Sequence, residues 1–318
     1  MPLDPGIAAT LQQLAASGAP AVSAGDAPTA RAVLRGIAFG GADGPSGEPA
    51  VGAVRSETIS GSIPVRVYSP DAPLPVPVPT IVYFHGGGFV IGDLDTSDSL
   101  ARRLCNDVGA VVVSVDYRLA PEHPFPAAVD DADAAVRWVV AHVSDFGNDP
   151  ARVAVAGDSA GANLAAVAAQ LVTADGIHLA AQLLAYPPTD PGGDYPSTTE
   201  NAEGYFLTRA DMEWFFARYL GMDLDDPRVA DLSADPRVAP LRAASLAGLP
   251  PAIVATGEFD PLRDEGDAYA AALAAAGVPV EHRQFAGLIH GFWGMGATSQ
   301  GAEDATVWIE TTLKRLLS

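Results

Sequence analysis

The sequence predicts an α/β fold: a mostly parallel central sheet flanked by helices and carrying a helical cap. Three observations lead there. From about residue 51 onward, short apolar runs alternate with longer helix-like stretches, the pattern of a parallel sheet covered on both faces. At one junction, Gly157-Asp158-Ser159-Ala160-Gly161 lies between an apolar run at 152–156 and an Ala-rich stretch at 163–171, the strand–turn–helix context of a nucleophile elbow. Residues 189–250 then interrupt the alternation between two apolar strands, and an insertion at the C-terminal ends of strands is where a lid sits.

Taken in order, residues 1–50 differ from the rest of the chain. They have short helices at 7–15 and 29–35, and a Gly- and Pro-rich loop at 40–49 that cannot be regular structure. Such a segment has too little core of its own and is expected to pack on the main body. The first part of the core spans 51–188. Runs at 54–59 and 63–68 flank Ser60-Gly61-Ser62 and read as an antiparallel hairpin. After a Pro-rich loop at 71–79, the run at 80–84 is apolar on both faces, as is 110–116; both read as central strands. Helices are expected at 96–108 and at 126–142, with Trp138 on the apolar face of the second. The elbow strand and helix come next, and then a strand at 180–186 that Pro187-Pro188 ends. The insertion, 189–250, has one clear helix at 208–220 with Thr208 as its N-cap. The second part of the core, 251–318, has strands at 252–256 and 280–285 and helices at 264–276 and 301–317.

Composition narrows the function. The 318 residues carry a net charge of −21, from 39 acidic against 18 basic residues, so neither a basic nucleic-acid face nor a polybasic membrane patch is present. The single cysteine, Cys105, allows no intrachain disulfide and no cysteine metal cluster; it reads as a buried structural thiol. The first residues lack a positive n-region and an apolar h-region, and no apolar run reaches the ~18 residues of a membrane span. The expectation is a soluble, cytoplasmic protein.

Serine alone is a poor nucleophile, so Ser159 needs a base, and the base needs an orienting acid. Asp260 follows the strand at 252–256, and His290 follows the strand at 280–285. Loops at the C-terminal ends of neighbouring strands converge on one place, and the chain order Ser, Asp, His is one this chemistry uses. Glu258, two residues before Asp260, is the rival acid. Attack on an ester carbonyl creates an oxyanion, and each backbone N–H aimed at it is worth about 10²–10³ in rate. His85-Gly86-Gly87-Gly88 supplies such donors: Gly86 and Gly87 are assigned, with Ala160 from the elbow. His85 is read as holding the glycine loop, Asp158 as structural, and Asp116, Tyr117 and Arg118 as bracing the next loop. No cluster has metal-ligand spacing.

Four separated motifs carry a resemblance. They are His85-Gly86-Gly87-Gly88, the run Tyr117-Arg118-Leu119-Ala120-Pro121-Glu122-His123-Pro124-Phe125-Pro126-Ala127-Ala128, the elbow, and Asp260-Pro261-Leu262-Arg263-Asp264-Glu265-Gly266. Over about residues 50–318 the chain resembles the hormone-sensitive-lipase family of bacterial esterases, in the branch whose elbow is Gly-Asp-Ser-Ala-Gly. Ala162 departs from the second glycine that many relatives carry there. The resemblance implies an α/β-hydrolase core with residues 1–50 as an N-terminal cap segment, and hydrolysis of short- to medium-chain acyl esters through an acyl-enzyme with no cofactor. It also implies a homodimer formed through 280–285 and 301–317.

For the substrate, Phe89, Tyr186, Leu207, Trp214 and Phe292 are pocket candidates. Trp214, Phe215 and Phe216 are equally suited to packing their helix on the body. Two rival readings stand beside the carboxylesterase. One is a related serine hydrolase, such as an amidase, a lactonase or a natural-product deacetylase. The other is a small-molecule receptor like the plant gibberellin receptors, which resemble this family but lack the histidine present here at 290.

Overall fold

A computed structural model describes residues 2–318 apart from 19, 41, 43, 72–76 and 147. The middle of the Pro-rich loop expected at 71–79, and positions 41 and 43 of the loop at 40–49, lie outside the described residues. In chain order the elements are α1 (Pro5–Ser17), α2 (Ala27–Phe39), β1 (Ala53–Ile59), β2 (Ile63–Ser69), β3 (Thr80–Phe84), α3 (Asp98–Val108), β4 (Val111–Val115) and α4 (Ala127–His142). They continue with β5 (Val153–Asp158), α5 (Ala160–Ala174), β6 (Ala181–Ala185), α6 (Pro196–Glu200), α7 (Arg209–Leu220) and α8 (Arg228–Ser233). The chain closes with β7 (Ala252–Phe259), α9 (Arg263–Ala275), β8 (Val280–Ile289) and α10 (Gln300–Leu316).

Among the described residues the strands form one sheet of eight, in the order β1-β2-β4-β3-β5-β6-β7-β8. β1 and β2 are the expected antiparallel hairpin, and every pairing from β4 through β8 is parallel. Successive residues of a strand point to opposite faces, so each central strand feeds two cores. Val82, Phe84, Val155 and Val254 pack toward α4, α5 and α9. Ile81, Tyr83, Ala156 and Ala255 pack toward α3 and α10. Cys105 is buried in the second core, and burial pushes its thiol up to about 12, so it is a packed thiol and not a nucleophile.

Two strands outrun the sequence expectation. β7 continues past Thr256 to Phe259, and β8 past Phe285 to Ile289, with a register shift between Gly257 and Phe259. Gly257 and Gly287 look like strand ends in sequence, but cross-strand pairing carries both chains through them. The last pair is Phe259 with Ile289, so Asp260 and His290 leave the sheet side by side.

In the insertion, α7 begins where expected. Thr208 Oγ1 accepts from the Asp211 N–H at 3.1 Å and the Asp211 carboxylate accepts from the Thr208 N–H at 3.2 Å, a capping box. The helices α6 and α8 are too short to show a helical period in sequence. The N-terminal residues pack on the body as expected, and they also meet the insertion. Ala27 and Ala30 of α2 lie against Val90, Ile91 and Ala120, with Trp214 and Phe215 of α7 beside them.

Candidate active site

β5 ends at Asp158 and α5 begins at Ala160, leaving Ser159 alone in the turn at φ 52° and ψ −123°. A non-glycine residue at positive φ is strained, and the surrounding packing holds it there. Gly161 makes this possible by close approach: a Cβ at that position would overlap the carbonyl oxygen of Phe84. α5 can therefore pack directly against the end of β3.

The three residues singled out as nucleophile, base and acid form one hydrogen-bonded line. Ser159 Oγ lies 2.9 Å from His290 Nε2. His290 Nδ1 lies 2.8 Å from Asp260 Oδ2. Asp260 is fully buried and its Oδ1 accepts from the Leu262 N–H at 2.8 Å. An ionised carboxylate only accepts, so Nδ1 carries the proton, and Nε2 is left to accept from the serine hydroxyl. Glu258, the rival acid, is engaged elsewhere: its carboxylate accepts from the Gly287 N–H at 2.7 Å. The register shift before Phe259 is what separates the aims of two carboxylates only two residues apart.

On the other side of Ser159 the sequence assignment needs one correction. The Gly86 N–H donates to Asp158 Oδ1 at 3.0 Å and is not free to meet an oxyanion. The same oxygen accepts from the Tyr83 hydroxyl at 2.6 Å. The Gly87, Gly88 and Ala160 N–H groups have no acceptor among the described residues. Gly88 sits at φ 58°, and a Cβ there would overlap the ring of Phe215. Asp158 is structural, as read from the sequence, and desolvation pushes its carboxyl above the usual range. His85 holds the loop as expected. Its Nδ1 donates to the Gly86 carbonyl at 2.7 Å, and its ring stacks on Tyr117 at 4.4 Å. The Tyr117 hydroxyl donates to the His85 carbonyl at 2.7 Å. Arg118 grips Asp131, with Nη2 at 2.7 Å from Oδ1.

The pocket candidates fare less evenly. Tyr186, at φ 40°, meets the edge of His290 at 4.7 Å and Phe292 at 5.1 Å. Phe292 is fully buried in the core behind the histidine and exposes no surface to a ligand. Phe89 stacks on Tyr219 at 3.8 Å within the other core. Trp214 is used for packing: its Nε1 donates to the Gly25 carbonyl at 3.2 Å, and the Arg218 guanidinium covers its face at 3.7 Å. An aromatic residue near a site in sequence is as well suited to the core as to a ligand. Leu207 is half-buried at the start of α7. Two other rings lie against the glycine loop and the residue after His290. Phe215 stands over Gly88, and Phe206, 39% exposed and at φ 78°, lies beside Gly291. Phe206 was missed because a positive φ leaves no mark in sequence.

Among the described residues no group of His, Cys, Asp or Glu is arranged to hold a metal, and no helix is long and apolar enough to cross a membrane. Comparison with known proteins agrees with the geometry. Residues 81–294 match a family model described as the alpha/beta hydrolase fold. The chain is 46% identical over 265 residues to the carboxylic ester hydrolase LipN of Mycobacterium tuberculosis, covering 81% of this chain and 68% of that one. It is 38% identical over 260 residues to the ethyl acetate hydrolase of Pseudomonas putida, covering 80% and 79%. The hyperthermophilic esterase of the archaeon Pyrobaculum calidifontis superposes with a TM-score of 0.89 at 39% identity, over 100% of both chains. With this match over most of the core and an elbow built as that fold requires, the chain belongs to the α/β-hydrolase fold family, among its hormone-sensitive-lipase-like members.

Proposed function

We propose that the protein is a carboxylesterase that hydrolyses short- to medium-chain acyl esters with Ser159 as nucleophile, His290 as base and Asp260 as orienting acid. The observation that carries this reading is the unbroken line from Ser159 Oγ to His290 Nε2 and from Nδ1 to Asp260, at 2.9 Å and 2.8 Å. Ser159 Oγ attacks the acyl carbon as its proton passes to Nε2. The Gly87, Gly88 and Ala160 N–H groups receive the charge that develops on the carbonyl oxygen. When the tetrahedral intermediate collapses, the carbon–oxygen bond to the alcohol breaks and Nε2 returns the proton to the leaving oxygen. Water then attacks the acyl-enzyme with the same base, releasing the acid and restoring the serine.

Residues 1–50 and 189–250 act together as the cap. The Ser23 N–H donates to Asp211 Oδ1 at 3.1 Å and Trp214 Nε1 to Gly25, so the two segments are joined above the glycine loop. Phe215 over Gly88 and Phe206 beside Gly291 are the rings of the cap that would border a bound acyl group.

The test is initial rates on p-nitrophenyl esters from acetate to palmitate, run beside Ser159→Ala. Wild type is expected to turn over the short esters best. The variant is expected to fold normally and to lose at least ~10⁴-fold in kcat. Turnover retained in Ser159→Ala overturns the assignment, and faster hydrolysis of the matching amides or lactones redirects it to another serine hydrolase.

A further inference from the structure

The insertion is not uniform. Its first residues, 189–201, are tied to the loop that presents Asp260. That loop leaves β7 with the carbonyl oxygens of Glu258, Asp260 and Pro261 turned away from the sheet ladder, and buried carbonyls require donors. Arg263 supplies part of them, its N–H donating to the Asp260 carbonyl at 3.1 Å and its Nη1 to the Glu258 carbonyl at 3.1 Å, and Asn201 and Ser197 supply the rest from the insertion. Asn201, 4% exposed, donates through Nδ2 to the Asp260 carbonyl at 3.1 Å and to the Glu258 carbonyl at 3.3 Å. Ser197, fully buried, donates through Oγ to the Pro261 carbonyl at 2.8 Å and accepts at the same oxygen from the Asp264 N–H at 3.2 Å. Its own N–H donates to Asp264 Oδ2 at 2.8 Å. The base of this short arm is fixed as well, because the Thr189 N–H donates to the buried Glu265 carboxyl at 2.7 Å.

We propose that Asn201 and Ser197 are positioning residues for Asp260. They act through the carbonyls of 258–261 to keep the carboxylate on Nδ1 of His290, so that α6 serves the acid rather than the lid. This inference rests on the triad reading above. The physical argument is one of leverage. The acid loop has no helix or strand of its own between Phe259 and Arg263, and Asp260 makes its single contact with the histidine through one oxygen at 2.8 Å. Loss of a donor that grips the same peptide group allows that group to tilt. A displacement of ~1 Å at a group that orients the reaction reduces rate about 100-fold.

Asn201→Ala, Asn201→Asp and Ser197→Ala, each in the full chain, test this. Asn201→Asp keeps the volume but turns both donors into acceptors facing carbonyls. Ser197→Ala removes a single oxygen and keeps the proposal testable if the Asn201 variants do not fold. Two readouts are needed: kcat and KM on p-nitrophenyl butyrate, and the low-field proton NMR resonance of the imidazole Nδ1–H held by a buried carboxylate. The expected result is kcat lower by about 10- to 100-fold with KM changed less than about threefold, and a low-field resonance that shifts or disappears. A kcat within about twofold of wild type overturns the proposal, and so does a reduced kcat with the resonance unmoved, which would place the loss in the pocket. If wild type itself hydrolyses no ester, the proposed function fails. The resonance still decides whether Asn201 and Ser197 hold Asp260.

Discussion

The glycine loop and the acid loop stand on opposite sides of Ser159, and they are held by different parts of the chain. Asp158, which immediately precedes the nucleophile, takes the Gly86 N–H and the Tyr83 hydroxyl on one oxygen. His85 and Tyr117 complete the brace from the ends of β3 and β4. All of these residues belong to the central sheet or its first loops. On the acid side, the corresponding carboxyl is Glu265, fully buried in α9, and it takes the N–H groups of Thr189 and Asp190 at the root of the insertion. Asn201 and Ser197 then close the loop from above. The glycine loop is therefore braced by the central sheet, whereas the loop that carries Asp260 is braced by a segment added between two strands.

The sharpest way to break this comparison is at the acid itself. Asp260→Asn is expected to lower kcat about 10⁴-fold, because the amide favours the wrong imidazole tautomer. Glu258→Gln should change kcat by less than about threefold, since its carboxylate is committed to Gly287. Steady-state kinetics on one ester reads both. Equal losses would mean that the two carboxylates share the role.

On the glycine side the expected effect is smaller. Gly88→Ala puts a side chain at φ 58° and into the Phe215 ring, and displacing one oxyanion donor costs about 10²–10³ in kcat. Adding Phe215→Ala removes the overlap but not the backbone strain, so the double variant should recover part of the rate. Full recovery would show that the backbone tolerates the side chain, and no recovery would show that the ring was never the obstacle.

The smallest effect concerns stability and pH. Burial raises Glu265 from 4.5 to about 8, so the folded protein holds this carboxyl protonated over a range where the unfolded chain has already ionised it. Its contribution to stability is complete below about pH 4.5 and is lost as pH rises through about 8. Glu265→Gln keeps a neutral acceptor for Thr189 and Asp190, and its Tm should therefore fall less than that of wild type between about pH 5 and about pH 9. A steeper fall in the variant would mean that Glu265 is ionised in the fold. Asp158 is shifted in the same direction, so a thermal melt series on Asp158→Asn compares the two braces directly.

Much of this molecule is written locally, and that part is legible from the amino-acid sequence alone. Continuous β-branched runs such as 111–115 can only be buried strands. The elbow around Ser159 is recognisable because strand, turn and helix are adjacent in the chain. The order Ser159, Asp260, His290 is visible because each follows an apolar run. The tertiary structure decided what depends on pairing across distance. The length of β7 and β8, and with it the meeting of Asp260 rather than Glu258 with His290, depends on pairing and a register shift between strands. The engagement of the Gly86 N–H is due to a hydrogen bond spanning 72 residues of chain. The placing of Trp214 and Phe292 in packing, and of Phe206 beside the site, depends on backbone angles and neighbours that no residue type encodes. Local propensity and periodicity act over a few residues, while a donor's acceptor and an aromatic ring's burial are settled only when distant segments meet.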